Sequence, residues 1–187
     1  MALRLENISK SFGDKKVLDG LSLAFPEKGI SVIMAPSGTG KTTLLRIIAG
    51  LEKPDGGEVH FTENEKVSLM FQEDRLFPWL TALENVTVPT GVKASEARAL
   101  LEAVELGAET DKFPDQLSGG MNRRVALARA MAGGGMLLLD EPFNGLDEEL
   151  TERMLALLEK YAENAAVIIV THDRRIADRT GGAVILP

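Results

Sequence analysis

The sequence predicts an α/β fold in which a parallel-sheet core is preceded by an N-terminal antiparallel β subdomain and interrupted by an inserted helical subdomain. Three observations carry this. Ile33–Thr43 reads I-M-A-P-S-G-T-G-K-T-T and runs on into Leu44, Leu45, Ile47 and Ile48 at helical spacing, so a strand, a small glycine-bearing loop and a helix follow one another. Met136–Leu139 and Ala165–Val170 are short unbroken apolar runs, the pattern of strands buried on both faces of a parallel sheet. Between them and the N-terminal half, the pattern over 73–132 changes to helical periodicity.

The chain of 187 residues, 44% hydrophobic and 26% charged, suits one globular unit with a core of its own. We expect 1–72 and 133–187 to form one core and 73–132 the inserted part. The apolar runs are too short to cross a bilayer. Met1–Lys10 shows no basic, apolar leader, and there are no cysteines, so a cytoplasmic chain without disulfides is expected. A net charge of −7 argues against a general nucleic-acid surface, which needs an excess of Lys and Arg.

Taken in order, Leu3–Ser9 and Val17–Phe25 alternate apolar and polar residues and read as two antiparallel strands joined by Ser11, Phe12, Gly13 and Asp14. Phe12 at that connection is either a stacking platform or a half-buried anchor. Gly50–Gly57 ends the first helix, and Glu58–Thr62 and Val67–Phe71 are two further strands. His60 falls on an exposed strand face. Thr81 and Glu84 offer a capping box, and Ser95–Leu106 is a helix with Ala99, Leu100, Leu101 and Val104 inward. Ser118 caps a helix over Asn122–Ala132, packed through Val125, Leu127, Ala128 and Met131. Arg123, Arg124 and Arg129 could bind phosphate, but a mixture of solvated face and internal pairing is the expectation preferred. Gly133–Gly135 reads as a loose hinge. Asp147 caps the helix Glu148–Ala162, whose inner face is Leu150, Met154, Leu155 and Leu158. Asp173–Asp178 gives a short helix and Ala183–Leu186 a last strand.

The chemistry gathers at one sheet edge. Gly38 and Gly40 let successive backbone N–H groups turn inward on a cluster of phosphate charges, and the following helix points its positive end the same way. Lys41 reaches the β- and γ-phosphates of a nucleoside triphosphate, and the Thr42 hydroxyl is placed for Mg²⁺. Thr43 stands where a dinucleotide fingerprint needs its last glycine, which excludes that reading. Gln72 leaves a strand end toward the same place, either as a metal or water ligand or as a plain loop amide. Asp140 ends a buried strand, where it holds Mg²⁺ through water, and Glu141 after it is the natural general base. His172 emerges on the same edge and is a candidate contact for the γ-phosphate. Ser118, Gly119 and Gly120 make a second anion-ready helix start.

With these residues assembled, the chain resembles the nucleotide-binding subunit of an ABC transporter along essentially its whole length. The resemblance rests on Phe12, A-P-S-G-T-G-K-T-T, Gln72, L-S-G-G-M, L-L-L-D-E-P, G-L-D at Gly145–Asp147 and His172, in that order. It implies a P-loop NTPase core of the RecA-like kind that binds ATP with Mg²⁺. Phe12 and Val17 would hold adenine and ribose. Ala35, Pro36, Ser37, Gly38, Thr39, Gly40, Lys41, Thr42 and Thr43 would form the loop, with Ser37–Thr43 on the phosphates. Thr42, Gln72 and Asp140 would serve the metal, and Glu141 would be the base, with His172, Gln72 and Lys41 completing the catalytic set. In this family two copies pair head to tail on ATP, so that Ser118, Gly119 and Gly120 of one close over nucleotide held by the other, with Asp147 near the interface.

Phe71–Val86, F-Q-E-D-R-L-F-P-W-L-T-A-L-E-N-V, is similar to subunits of importers for nitrate, sulfonates, taurine and related solutes. That likeness implies integral membrane permease subunits as partners, an extracytoplasmic solute-binding protein in the same system, and a place at the inner face of the cell membrane. Leu76, Phe77, Pro78, Trp79 and Leu80 would lie where the permease docks, the alternative being internal packing. The chain departs from the family pattern at Ala35, where glycine is usual, and at Met121, where glutamine is usual, and its helical insertion and C-terminus are short. An exporter subunit and a soluble ABC protein are the competing readings. The soluble relatives insert long coiled coils or carry two cassettes in one chain, and neither is present here. A guanine-reading Asn-Lys-X-Asp is also missing, which argues against a GTPase.

Overall fold

The computed structural model describes residues 3–34, 38–61, 66–181 and 183–185. Two sheets organise it. The strands β1 (Leu3–Phe12), β2 (Lys15–Phe25) and β4 (Gly56–Phe61) form an antiparallel sheet in the order β2-β1-β4. The strands β3 (Gly29–Met34), β5 (Val67–Met70), β6 (Met136–Asp140), β7 (Ala166–Val170) and β8 (Ala183–Ile185) form a parallel sheet in the order β5-β6-β7-β3-β8.

The parallel sheet is buried on both faces, as its uninterrupted apolar strands require. Alternation along the strands divides its side chains between two clusters. Met136, Leu138, Ile168, Val170 and Ile33 pack with Leu44, Leu45, Ile47 and Ile48 of helix α1 (Lys41–Ile48) and with Leu3, Leu5 and Ile8 of β1. The helix at the phosphate loop thus shares one apolar cluster with both sheets. Leu137, Leu139, Val167, Ile169 and Val32 face the other way. There they meet the helices α2 (Ala82–Thr90), α3 (Ala94–Ala103), α4 (Gly119–Gly133) and α5 (Glu148–Ala162). Helix α6 (Arg174–Arg179) follows β7.

Local signals set most boundaries. Thr81 and Glu84 complete a reciprocal capping box, with Glu84 N–H donating to Thr81 Oγ1 at 3.2 Å and Thr81 N–H to Glu84 Oε2 at 2.9 Å. Asp147 accepts from Leu150 N–H at 2.8 Å and starts α5. Ser118 accepts from Met121 N–H at 3.2 Å, so α4 begins at Gly119, three residues earlier than its apolar periodicity predicts. Asp173 caps α6 from outside, which shifts that helix one residue along the chain from the predicted span.

Several expectations change. Phe12 ends β1 instead of sitting in the connection, because it pairs with Lys15 and leaves Gly13 and Asp14 as a two-residue turn. Helix α3 turns Ala97 and Leu101 inward and leaves Ala99 exposed. Gly133–Gly135 is not a loose hinge. A Cβ on Gly133 would collide with the Ser68 hydroxyl and one on Gly135 with the Lys66 carbonyl, while Tyr161 Oη donates to Gly135 O at 2.9 Å. Gly135 thus admits the Lys66 backbone and Gly133 the Ser68 side chain next to the sheet. Leu186 lies outside the described residues.

Candidate active site

The carboxyl ends of β3, β5 and β6 open onto a cleft of about 340 Å³ lined by Val17, Gly38, Gly40, Lys41, Thr42, Thr43, Gln72, Asp140 and Glu141. Parallel strands bring these together because ligands of open α/β sheets sit beyond the strands' carboxyl edge. Gly38 and Gly40 have φ of +83° and +90°, the left-handed region that side chains avoid. At Gly40 space is also decisive: a Cβ there would stand 2.7 Å from Val17 Cγ1 and 2.9 Å from Val17 O. The missing side chain therefore lets β2 close against the loop and delivers Val17 to the cleft. Ala35, Pro36 and Ser37, expected in the loop, lie outside the described residues.

Asp140 is only 2% exposed, and Thr42 Oγ1 donates to its Oδ2 at 2.6 Å. Burial pushes the Asp140 carboxyl above the usual carboxylate range; the Thr42 bond and the charges of Arg123 and Lys41 oppose this, while Glu141 adds to it. Hydroxyl, carboxylate and the amide of Gln72 form an oxygen set of the hard type that Mg²⁺ takes. Among the described residues no cluster of three or more His, Asp or Glu could hold a metal by itself.

Glu141 has φ +50°, in the left-handed region though it is not glycine. The bend turns its carboxylate out of the strand line and toward β7. There Thr171 Oγ1 donates to Glu141 Oε2 at 3.1 Å, and His172 Nδ1 stands 2.8 Å from Glu141 Oε1. His172 is itself exposed and lines a neighbouring cavity that shares Glu141 with the cleft. Two carboxylate oxygens are thus oriented by two neighbours, the arrangement a general base needs.

Phe12, Thr39, Ser118, Gly119, Gly120 and Asp147 do not line the cleft. Phe12 is 52% exposed, with Lys10 Nζ 5.3 Å from its ring centroid. Gly120 abuts the Gly145–Leu146 turn, its Cβ position 3.3 Å from Gly145 O, whereas a Cβ on Gly119 would meet nothing within 4 Å. The first turn of α4 therefore fronts open space.

Of the mixture expected for the arginines of α4, the internal pairing is found, and only its partners went unforeseen. Arg123 and Arg124 are 4% and 9% exposed, and no solvated face exists for them. Arg123 Nη2 donates to Asp140 O at 2.6 Å and Glu141 O at 2.5 Å. Arg124 Nη1 donates to Val104 O and Glu105 O, and Arg129 to Asp74 O and Arg75 O. Thr171 was missed.

A phosphate loop, a buried carboxylate bound to its threonine and a carboxylate oriented beside them define a P-loop nucleotide hydrolase. The "ABC transporter" family profile matches residues 18–144, and the chain belongs to this family as one of its ATP-hydrolysing cassettes. A profile of an AAA domain matches residues 114–178. The chain is 39% identical to the aliphatic sulfonates import ATP-binding protein SsuB 1 of Rhizobium johnstonii, over 92% of this chain and 68% of that protein. It is 38% identical to the sulfate/thiosulfate import ATP-binding protein CysA of Bradyrhizobium diazoefficiens, over the whole chain and 61% of that protein. Among solved structures it is similar to the dimeric bacterial ABC transporter cassette MJ0796, with TM-score 0.90 and 33% identity over 98% of this chain and 94% of that one. The same cassette in a dimeric post-hydrolysis state bound to ADP and Pi gives a TM-score of 0.89 at 32% identity, with the same coverage.

Proposed function

We propose that the protein hydrolyses ATP to drive import of a small solute through integral membrane permease subunits, two copies closing head to tail over ATP. The observation that carries this is the row Thr42–Asp140–Glu141–His172 at the carboxyl edge of one sheet. The loop amides and Lys41 hold the phosphates, with Val17 and Phe12 against the nucleoside. Mg²⁺, bound by Thr42, Asp140 and Gln72, would neutralise phosphate charge. Glu141 takes the proton of the attacking water, and Thr171 and His172 hold its carboxylate in place. His172, beside Glu141, is the contact for the γ-phosphate.

The open first turn of α4, with Ser118, Gly119 and Gly120, is the face that meets nucleotide held by the second copy. Asp147 stands at the start of α5, and Gly120 touches the turn just before it. Residues 73–132 work as a helical subdomain against the core formed by 1–72 and 133–187. Trp79 is 69% exposed and its ring centroid lies 5.6 Å from that of Phe77, an apolar platform where a permease helix docks at the inner face of the membrane. Among the described residues no helix is long and apolar enough to cross a membrane. The relatives named above are import proteins for sulfonates and sulfate, and a small oxyanion, delivered by an extracytoplasmic solute-binding protein, is the solute class assigned. Lys41→Ala tests the nucleotide reading. ATP binding measured by calorimetry should be lost with the fold intact, and undiminished binding and hydrolysis would reject it.

A further inference from the structure

Each inward arginine of α4 holds the carbonyl of a residue in the left-handed region: Arg123 that of Glu141, Arg124 that of Glu105 and Arg129 that of Arg75. Arg123 differs from the other two in reaching both walls of the cleft. Its Nη1 donates to Phe71 O at 3.0 Å, Gln72 O at 2.7 Å and Asp74 Oδ1 at 2.8 Å. Its Nη2 donates to Asp140 O at 2.6 Å and Glu141 O at 2.5 Å. One planar fork therefore ties the segment leaving β5 to the segment leaving β6, and these carry Gln72 and Glu141.

The strained backbone at Glu141 is tied by its N–H to Val170 O at 2.8 Å and by its carbonyl to Arg123 at 2.5 Å and, at the longer distance of 3.2 Å, to Asn144 N–H. Arg123 also rides one turn beyond Ser118, Gly119 and Gly120, so a push on that first turn moves the fork. Lysine cannot replace it, because a single ammonium has no rigid pair of donor edges to span two backbone segments.

We infer that Arg123 is a positioning residue for hydrolysis: it fixes Gln72 and Glu141 relative to each other and conveys contact at the open turn of α4 to both. This rests on the ATPase reading above. Misplacing reacting groups by about 1 Å lowers rate steeply while leaving phosphate binding to the loop intact.

The test uses the whole chain as Arg123→Lys, Arg123→Met and Arg123→Ala, with turnover expressed per folded molecule from far-ultraviolet circular dichroism. In the Lys and Met variants kcat should fall about ten- to hundredfold, while KM and the ATP Kd stay within about twofold. Methylguanidine should restore part of the lost kcat to Arg123→Ala and leave the wild type unchanged. Hydrogen exchange should quicken at amides 72–75 and at 141, with β7 unaffected.

Wild-type kcat per folded molecule in both Lys and Met variants would overturn the inference, as would an ATP Kd weakened by the same factor as kcat. If the wild type hydrolyses ATP and the variants match it, only this inference falls. If the wild type does not hydrolyse ATP, the reading beneath it falls too.

Discussion

Thr42 Oγ1 donates to Asp140 Oδ2 at 2.6 Å, joining the first turn of α1 to the end of β6 across 98 residues of chain. Asp140 is buried, and the hydroxyl is what satisfies that oxygen. Thr42→Val keeps the shape and removes the donor. A buried acceptor left unmade costs about 1–3 kcal/mol, so the thermal midpoint should drop and Mg²⁺-dependent turnover should fall with it. Differential scanning calorimetry and an ATPase assay at varied Mg²⁺ check both effects.

Gly40 and Gly38 both have positive φ, but among the described residues only Gly40 faces a wall. Gly38→Ala carries backbone strain alone. Gly40→Ala adds a clash with the Val17 side chain and carbonyl, which are 2.7 and 2.9 Å from the new atom. Urea unfolding should therefore show the larger loss for Gly40→Ala, about 1–3 kcal/mol from strain with overpacking in addition. ATP affinity should follow the same order.

Much of this architecture is legible in the residues themselves. Met136–Leu139 and Ala165–Val170 read as buried parallel strands because they contain no polar residue to face water, and Asp147 and the Thr81–Glu84 pair announce helix starts by short-range bonding. The α4 arginines were expected to pair internally in part, but their partners escaped because these are mainly carbonyls of segments remote in sequence, which no local spacing reveals. Gly133–Gly135 misled for a related reason: composition does not separate a glycine that bends freely from one that admits a neighbour's backbone. Glu141 is legible as a carboxylate at the end of a buried strand, but its left-handed φ and its Thr171 partner need the fold.

Asp173 caps α6 and pairs with Arg175, whose Nη2 lies 2.7 Å from Asp173 Oδ2. The Arg175 side-chain bond, opposed by burial and aided by the Arg175 backbone N–H, holds the Asp173 carboxyl below the usual range. Because the folded value lies below the unfolded one, the stabilisation is complete above the ordinary aspartate pKa of about 3.9 and is lost as pH falls through the folded value. Asp173→Ala should cost about 1 kcal/mol at neutral pH as a lost cap, and the gap from wild type should narrow below about pH 4. Denaturant melts at pH 7, 5 and 3 read this directly.

Trp79 has most of its side chain in solvent, so the fold owes it little. Trp79→Ala should leave stability within about 0.5 kcal/mol and soluble ATPase activity unchanged. Association with membranes containing the permease should weaken by about 2 kcal/mol, close to thirtyfold, as for an aromatic anchor at an interface centre. Flotation of the cassette with permease proteoliposomes measures it, and equal recovery of variant and wild type would place docking elsewhere.

The central claim is that Glu141 activates water over an ATP closed in by a second copy. Glu141→Gln retains the hydrogen-bonding shape of the side chain but cannot take the proton, so turnover should fall by about 10²–10⁴-fold with ATP still bound. Sedimentation velocity of this variant with Mg²⁺ and ATP is the most direct measurement. A stable dimer carrying two ATP molecules is the predicted result. A monomer with bound ATP, under conditions where the wild type hydrolyses it, would contradict the account.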